Sequence, residues 1–192
     1  MNQYRPILFN TEMVRAILEG RKTVTRRVVK KKSVDDVLSS PARIENPEVS
    51  DSRFIRCLCD PPFEPEDILW VRETWQVARG GGYMYRADTV RSHDLFITPD
   101  GRVVGDIPWR PSIHMPREAA RIFLRVKEVT VERLQDCGNA QAKDEGCTCC
   151  SQFARVWGST LKPTDRDHYG WEANPWVWVI RFERCIRSAL WS

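Results

Sequence analysis

The chain has 192 residues, of which 42% are hydrophobic and 29% are charged. These values are ordinary for a globular domain, so they exclude a fibrous protein and a wholly disordered chain. No apolar run reaches the roughly 20 residues that a helix needs to cross a bilayer, and residues 1–11 lack the apolar core of a secretory signal. We therefore expect one cytoplasmic domain, residues 1–192, that does not contact membranes.

The hydrophobic pattern predicts the secondary structure in chain order. Residues 11–20 have helical spacing, with Thr11 as the cap and Gly20 as the stop. Residues 22–29 are rich in Thr and Val, which predicts a strand, and the polar residues after them predict a mobile excursion. The later elements are strands at 67–75, 122–131 and 176–182, a hairpin turning at Pro99-Asp100-Gly101, and helices near 139–145 and 151–157, the last capped by Ser151 and stopped by Gly158.

Several short strands with few helices are typical of an α+β domain. We predict a small, mostly β barrel with short helices covering its ends. The last strand carries Trp176, Trp178, Ile180 and Phe182 on one face, which is typical of a barrel core. Residues 33–60, 76–116 and 158–174 are then loops or insertions on a single core.

Positive charge is concentrated in one part of the chain. The net charge is +4, yet residues 15–32 hold eight basic residues and one acid. Such a patch is typical of proteins that bind an anionic partner, most often nucleic acid or a nucleotide. A solvated surface is the alternative.

The cysteines and the glycines do not indicate a cofactor. Seven cysteines without an export signal predict reduced thiols rather than disulfides. The groups Cys57-Leu58-Cys59 and Cys147-Thr148-Cys149-Cys150 have spacings that structural zinc sites seldom use, and Gly80-Gly81-Gly82 lacks the residues of a phosphate loop. We expect neither a metal nor another cofactor.

The basic patch contains one chemically suggestive motif, in which the helix stop Gly20 is followed by Arg21, Lys22, Thr23, Val24 and Thr25. A lysine among other cations has a lowered pKa, and a neutral amine can activate a neighbouring hydroxyl for attack on a carbonyl. On a regular strand Lys22 and Thr25 point to opposite faces. A shared site therefore requires irregular backbone at Thr23 and Val24.

Five segments resemble the ASCH domain family. They are ILEGRKTVTRR at 17–27, DILWVRETW at 67–75, PSIHMPR at 111–117, the strand at 122–134 and NPWVWVI at 174–180. The fold of that family is similar to the pseudouridine-synthase-associated (PUA) RNA-binding barrel. Proteins of this layout are frequent in phages and prophages, so the resemblance also implies a phage-type protein.

The resemblance implies a chemistry for the motif. Small bacterial ASCH proteins include amidohydrolases that remove the acetyl group from N4-acetylcytidine with a lysine, a threonine and a glutamate. These residues correspond to Lys22, Thr25 and Glu145. The segment 134–146 is about two residues longer than the family pattern, so Asp144 is an adjacent candidate for the acid.

Two mechanisms are compatible with these residues. In one, Thr25 attacks the acyl carbonyl, Lys22 takes its proton and Glu145 protonates the leaving amine, after which water releases acetate from the acyl-enzyme. In the other, Lys22 binds the carbonyl while Glu145 activates water. For substrate binding we predict stacking or polar contacts from Arg21, Arg26, Arg72, Glu73, Trp75 and Trp109.

Three function classes remain open at this point. One is an amidohydrolase acting on a nucleoside or on single-stranded RNA. Another is a non-catalytic module of phage origin that binds RNA or a modified nucleotide. The last is an accessory protein that acts through protein contacts, since one fold hosts many activities.

Overall fold

The computed structural model describes residues 3–78, 80–92, 95–97, 103–104 and 108–186. Helices and strands are mixed along these residues, as the α+β prediction requires. The helices are α1 (Thr11–Leu18), α2 (Lys31–Leu38), α3 (Pro41–Glu45), α4 (Asp51–Leu58), α5 (Asn139–Asp144), α6 (Cys150–Thr160) and α7 (Arg166–Tyr169). The strands are β1 (Tyr4–Leu8), β2 (Val24–Val28), β3 (Ile68–Arg72), β4 (Trp75–Val77), β5 (Tyr83–Tyr85), β6 (Val90–Ser92), β7 (Leu95–Ile97), β8 (Val103–Val104), β9 (Phe123–Arg133) and β10 (Trp176–Cys185).

The larger sheet has five strands that hydrogen bond in the order β1-β3-β9-β10-β2. β1 and β3 are parallel, whereas β3 with β9 and β10 with β2 are antiparallel. Among the described strands β1 and β2 stand at the two ends of this order, so no closed barrel forms. The α+β class is confirmed, and the barrel is not.

Two smaller sheets lie between β3 and β9 in the chain. β4 pairs with β5, and β6, β7 and β8 form an antiparallel group of three. The predicted hairpin corresponds to β7 and β8, whose strands pair as expected. Its turn, Pro99-Asp100-Gly101, lies outside the described residues.

The chain forms two compact units. The first comprises Met1–Gly20, Asp67–Arg125 and Arg184–Ser192, and the second comprises Arg21–Glu66 and Val126–Glu183. The core of the first unit is built from Ile68, Trp75, Met115, Ala119, Ala120 and Phe123. The core of the second unit is built from Val24, Leu134, Cys137, Ala142, Phe153, Trp157, Val177 and Val179.

Helix α1 has its cap one residue earlier than the sequence pattern indicated. The cap is Asn10, whose side-chain oxygen accepts a hydrogen bond from the Met13 amide at 2.9 Å. Thr11 is therefore the first helical residue, and its prediction as the cap was wrong. Gly20 follows the helix with φ of +74°, a conformation that glycine adopts without strain.

The segment 33–60 was predicted to be a loop or insertion, but it is largely helical. Helices α2, α3 and α4 fill it, and α2 packs against α4. α4 buries Ile55 completely, and the Ser40 side chain caps α3 just before Pro41. α2 and α4 have no side-chain cap and are stabilised by buried side chains such as Val34 and Ile55, although many of their residues are charged.

The other two predicted insertions also contain regular structure. Residues 76–116 include β5 to β8 and most of β4, and residues 158–174 include α7. α6 begins after Cys149 rather than Ser151 and continues through Gly158, so both predicted ends of that helix were wrong. Among the described residues no helix is both long enough and apolar enough to span a membrane.

Strand β10 is more deeply buried than its pattern suggested. Trp178, Ile180 and Phe182 are buried on the predicted core face, and Val177 and Val179 are buried on the opposite face. β10 stands between β9 and β2 in the sheet. A central strand covered on both faces has a continuous apolar run rather than an alternating one.

Candidate functional site

The motif after α1 leads into the second unit with an interrupted ladder. Lys22 forms an isolated antiparallel bridge with Glu145, and the regular pairing of β2 with β10 begins only at Val24. Between them, the Thr23 amide donates to the Asp144 carbonyl at 2.8 Å and the Thr23 carbonyl accepts from the Phe182 amide at 2.9 Å. The backbone is therefore irregular at Thr23, whereas Val24 already lies in the regular ladder, so the predicted irregularity covers only the first of the two residues.

Lys22 is buried, and its amine is enclosed by acceptors. The residue is 2% exposed. Its Nζ donates to the Val24 carbonyl at 2.8 Å, to the Glu145 carbonyl at 3.2 Å and to the Glu145 carboxylate. An ammonium group has three N–H donors, so these acceptors satisfy it fully.

Burial lowers the pKa of Lys22 below its ordinary value. Removal from water disfavours the charged amine, and the nearby Glu145 carboxylate opposes that effect without cancelling it. The neighbouring cation Arg27 adds to the decrease in pKa.

Glu145 is held between two cations. Its Oε2 contacts Lys22, and its Oε1 accepts a hydrogen bond from Arg26 Nη1 at 3.1 Å. Arg26 also donates from Nε to Glu132 at 2.8 Å, and its guanidinium lies 5.5 Å from the centre of the Phe153 ring. The result is a largely buried ion-pair network with no net charge, in which Glu145 contacts both cations. Its members are Lys22, Glu145, Arg26 and Glu132.

The other residues predicted for this site are Thr25, Arg21 and Asp144. Thr25 is buried and pairs with Ile180 in the ladder, and within the described part of the chain its hydroxyl makes no side-chain hydrogen bond. Arg21 is exposed and donates to the Gly146 carbonyl at 3.0 Å. Asp144 is 3.7 Å from Arg181 with its side chain 43% exposed. Glu145 rather than Asp144 is therefore the carboxylate that contacts Lys22.

Four residues predicted to bind substrate belong to the first unit, where each is buried or contacts other residues of that unit. Glu73 is 1% exposed and accepts two hydrogen bonds from Arg121, at 2.9 and 3.0 Å. Trp75 is 4% exposed and belongs to the core. Arg72 packs over Trp70 and donates to the Ile113 carbonyl, and Trp109 is half-buried. Their role in binding stays a prediction.

Sequence reasoning did not find three of the charged residues that complete these clusters. Glu132 lies on β9 and binds Arg26, while Arg121 joins Glu73 to Asp88. Burial raises the pKa of Glu73, and the contacts with Arg121 partly oppose this increase. Arg and Glu are common on protein surfaces, so no sequence signal distinguished these residues from solvated charges.

An open groove of about 830 Å³ lies elsewhere in the second unit. Its walls include Arg155 of α6, Arg166 of α7 and Trp171, whereas Lys22, Thr25 and Glu145 are not part of it. Among the described residues, no three His, Cys, Asp or Glu side chains are grouped as metal ligands would be.

Comparison with known proteins gives one similarity. No family model matches the sequence, and no curated protein matches it. The crystal structure of a mutant of ZmASCH, a protein from Zymomonas mobilis, aligns with 98% of this chain and 79% of its own, at 9% identity and a TM-score of 0.36. A TM-score of this size does not establish a common fold, so we take neither fold nor function from it.

Proposed function

We propose that the second unit carries an amidohydrolase site that removes an acyl group from the exocyclic amine of a cytidine-type base. N4-acetylcytidine, as a nucleoside or within single-stranded RNA, is the expected substrate class. As part of the same proposal, the protein is an ASCH-type protein with a PUA-like fold. The partner is therefore a nucleoside or a single-stranded RNA.

The observation that carries this proposal is the buried contact between Lys22 and Glu145. A buried ion pair seldom stabilises a fold more than apolar side chains of similar size would. A lysine with a lowered pKa held against a carboxylate is instead typical of acid and base catalysis. Lys22 belongs to a segment that carries the resemblance, and Glu145 is the residue that the resemblance matches to the family's glutamate.

The contacts favour water as the nucleophile. Glu145 takes a proton from a water molecule, whose oxygen forms a bond to the acyl carbon. Lys22 and Arg26 are the cations beside Glu145, and they stabilise the negative charge that develops on the carbonyl oxygen. The bond between carbon and nitrogen then breaks, and the proton held by Glu145 passes to the leaving amine. The products are the cytidine-type nucleoside or RNA residue with a free exocyclic amine, and the carboxylic acid.

Thr25 has a secondary part in this scheme. Its hydroxyl makes no hydrogen bond to Lys22 or Glu145 among the described residues, so neither group is placed to deprotonate it in this conformation. We assign Thr25 to substrate contact rather than to attack on the carbonyl.

Substrate access requires a local opening. The Lys22 side chain is 0% exposed and that of Glu145 is 4% exposed. We propose that the turn after α5 covers these side chains; Arg21 donates to the Gly146 carbonyl in that turn. Catalysis therefore includes a step in which this turn moves and closes again, as in enzymes whose loops gate the active site.

Acetate release from N4-acetylcytidine tests the proposal. We expect the wild-type chain to release acetate, and Lys22→Met and Glu145→Gln to lose activity by about 10²-fold or more. Glu145→Gln preserves the shape of the side chain but leaves the buried Lys22 and Arg26 without their shared carboxylate, so the fold of this variant is measured as well. Lys127→Met is the matched control, because Lys127 forms an exposed pair with Glu183 in the same unit. It should retain full activity.

The same experiment separates the alternative functions. If the folded wild-type protein releases no acetate from the nucleoside or from acetylated single-stranded RNA, the amidohydrolase proposal is wrong. Salt-sensitive RNA binding without turnover would then indicate the non-catalytic binding module. Circular dichroism of each variant shows whether a loss of activity is a loss of fold.

A further inference from the structure

The open groove of about 830 Å³ in the second unit has no part in the proposed hydrolysis. We propose that it binds a nucleotide of single-stranded RNA that flanks the acylated one. This proposal rests on the proposed function, because it takes the cytidine-type substrate from there. It makes a single strand, rather than a free nucleoside, the substrate that the chain binds more tightly.

The groove has the size and the composition of a ligand site. Pockets for small ligands occupy about 300–1,000 Å³ and combine apolar surface with a few polar groups. Here Ala154, Ala173 and the half-buried Trp171 supply apolar surface. The charged groups come from α6, from α7 and from the residues that follow α7. The apolar surface can hold a base, and the charged groups can hold its sugar and phosphate.

Two exposed arginines line the groove. Arg155 lies on α6, and Arg166 is the first residue of α7. Neither forms an ion pair with a carboxylate in the part of the chain that the structure describes. A guanidinium is always charged, and its planar fork binds two phosphate oxygens through parallel hydrogen bonds. The groove therefore offers two cations to the phosphates of a strand.

Two carboxylates also line the groove, which distinguishes a nucleotide from a simple anion. Asp167 and Glu172 are exposed, and with Arg155 and Arg166 they leave the groove without net charge. A carboxylate accepts hydrogen bonds, and the ribose hydroxyls and the exocyclic amines of RNA donate them. A nucleotide carries both the anionic and the donor groups that these four side chains can bind.

The aromatic wall of the groove is held in place. The Gly170 amide donates to the Arg166 carbonyl at 2.7 Å, and a Cβ atom at position 170 would clash with that oxygen. The Trp171 carbonyl accepts from Gln135 Nε2 at 2.9 Å. The indole packs edge-on against Phe153, with ring centres 6.1 Å apart and an angle of 82°. Fixed aromatic side chains are the surfaces on which proteins stack the bases of single strands.

One side chain separates the groove from the ion-pair network of the candidate site. Phe153 contacts Trp171, and the Arg26 guanidinium lies 5.5 Å from the centre of the same ring. Arg26 in turn donates to Glu145 at 3.1 Å. All four residues belong to the second unit. A short stretch of one strand can therefore reach both the groove and the site.

Gly158 keeps the α6 wall of the groove open. It lies in the last turn of α6, and a Cβ atom added there would meet no other atom within 4 Å. A leucine at this position would fill part of the groove without a clash at its Cβ. Because leucine favours a helix more than glycine does, Gly158→Leu blocks the groove without weakening the helix.

Binding of an unacylated RNA tests the groove without any turnover. The full chain is titrated against a fluorescent oligocytidine of about eight nucleotides, and anisotropy is measured at several salt concentrations. Arg155→Met and Arg166→Met should each weaken binding by about tenfold and lower the slope of log K against log salt by about 0.7. Gly158→Leu should weaken binding by about tenfold without changing that slope.

The stacking surface has its own pair of variants. Trp171→Leu removes the ring and should weaken binding by about tenfold, whereas Trp171→Phe keeps a ring and should recover most of the affinity. Urea denaturation of both variants separates a lost contact from a lost fold. Equal binding by the leucine and phenylalanine variants would contradict stacking at this position.

Arg53→Met is the matched control for the arginine variants. Arg53 is an exposed residue of α4 in the same unit and does not line the groove, so its substitution changes the net charge equally. It should bind RNA as the wild type does. The proposal is overturned if the wild type does not bind the oligonucleotide, or if the groove variants bind it as tightly as Arg53→Met.

Competition distinguishes a strand from a single nucleotide. Cytidine 5′-monophosphate occupies one position at a time, so it should displace the labelled RNA only at concentrations about 100-fold above those of the unlabelled oligonucleotide. Displacement at equal concentrations would overturn the preference for a strand.

The result is separable from that of the hydrolysis experiment. Acetate release together with RNA affinity that the groove variants do not change would overturn the groove and leave the hydrolysis standing. Groove-dependent RNA binding without acetate release would support the groove as an RNA site and contradict the hydrolysis.

Discussion

At the scale of single residues, the central feature is the buried lysine Lys22, whose side chain is removed from solvent. Removing an ammonium group from solvent costs several kcal/mol, and Lys22 offsets this cost through Glu145 and two backbone carbonyls. An apolar side chain at position 22 would avoid that cost. The presence of the charge is explained if the amine acts on a substrate.

The cluster of Arg121, Glu73 and Asp88 gives a stability prediction for the first unit. Arg121→Met leaves the Glu73 carboxylate, 1% exposed, without its cation. We expect the free energy of unfolding to fall by about 3 kcal/mol, measured by urea denaturation. Lys127→Met removes a cation from an exposed pair and should change it by less than about 0.5 kcal/mol. Equal effects of the two variants would contradict this assignment.

Cys137 gives a prediction for alkaline pH. Burial raises its pKa to about 11 from an ordinary value of 9.0. Between these values the unfolded chain loses the thiol proton while the folded chain keeps it, so the unfolding free energy should decrease as pH rises. Urea denaturation at pH 8, 9 and 10 measures this trend. The trend should be weaker in Cys137→Ala, and parallel curves for the two proteins would show that burial has no effect on the thiol.

At the scale of elements, the helix ends follow local chemistry closely. A side-chain oxygen satisfies an amide at the start of α1 and of α3, and a glycine with positive φ follows both α1 and the C-cap of α5. Sequence predicts the presence of helix α1 better than the residue at which it begins. Asn10 and Thr11 are both good N-cap residues, and only one of them can occupy the N-cap position.

The cap of α1 can be tested with two neighbouring substitutions. Asn10→Ala removes the acceptor of the Met13 amide and should lower the unfolding free energy by about 1 kcal/mol. Thr11→Ala replaces a residue inside the first turn and should change it by less than about 0.5 kcal/mol. Thermal or urea unfolding distinguishes them. A larger loss of unfolding free energy in Thr11→Ala than in Asn10→Ala would show that Thr11 is the cap.

The helices of residues 31–58 give a second element-scale prediction. Ile55 on α4 is 0% exposed, whereas Ile44 on α3 is 73% exposed. Ile55→Ala should lower the unfolding free energy by about 3 kcal/mol, because it leaves a cavity. Ile44→Ala should have an effect below about 0.5 kcal/mol. If both substitutions are neutral, the segment is not packed as helices.

At the scale of the whole molecule, the sequence predicts what local patterns determine. The strong strands β3, β9 and β10 and the helices α1 and α5 lie where their hydrophobic spacing indicated. The helices between β2 and β3 were missed because many of their residues are charged and few of their side chains are buried. The open strand order was missed because pairing between distant strands has no local signature.

The candidate site likewise combines features that the sequence predicts with features that depend on contacts between distant residues. Lys22 and Glu145 are 123 positions apart, and only the family resemblance brought them into one hypothesis. Their contact, and the role of Arg26 beside them, depend on how β2 and the end of α5 meet in the second unit. Glu132 and Arg121 are ordinary charged residues by sequence, and only tertiary contacts give them a role.

The most direct test of the account is the rate of acetate release from N4-acetylcytidine by Glu145→Gln relative to Lys127→Met, with both proteins shown to be folded. We predict that the glutamine variant is slower by about 10²-fold or more while the control equals the wild type. Turnover by Glu145→Gln at the wild-type rate would show that the buried carboxylate does not take part in the reaction.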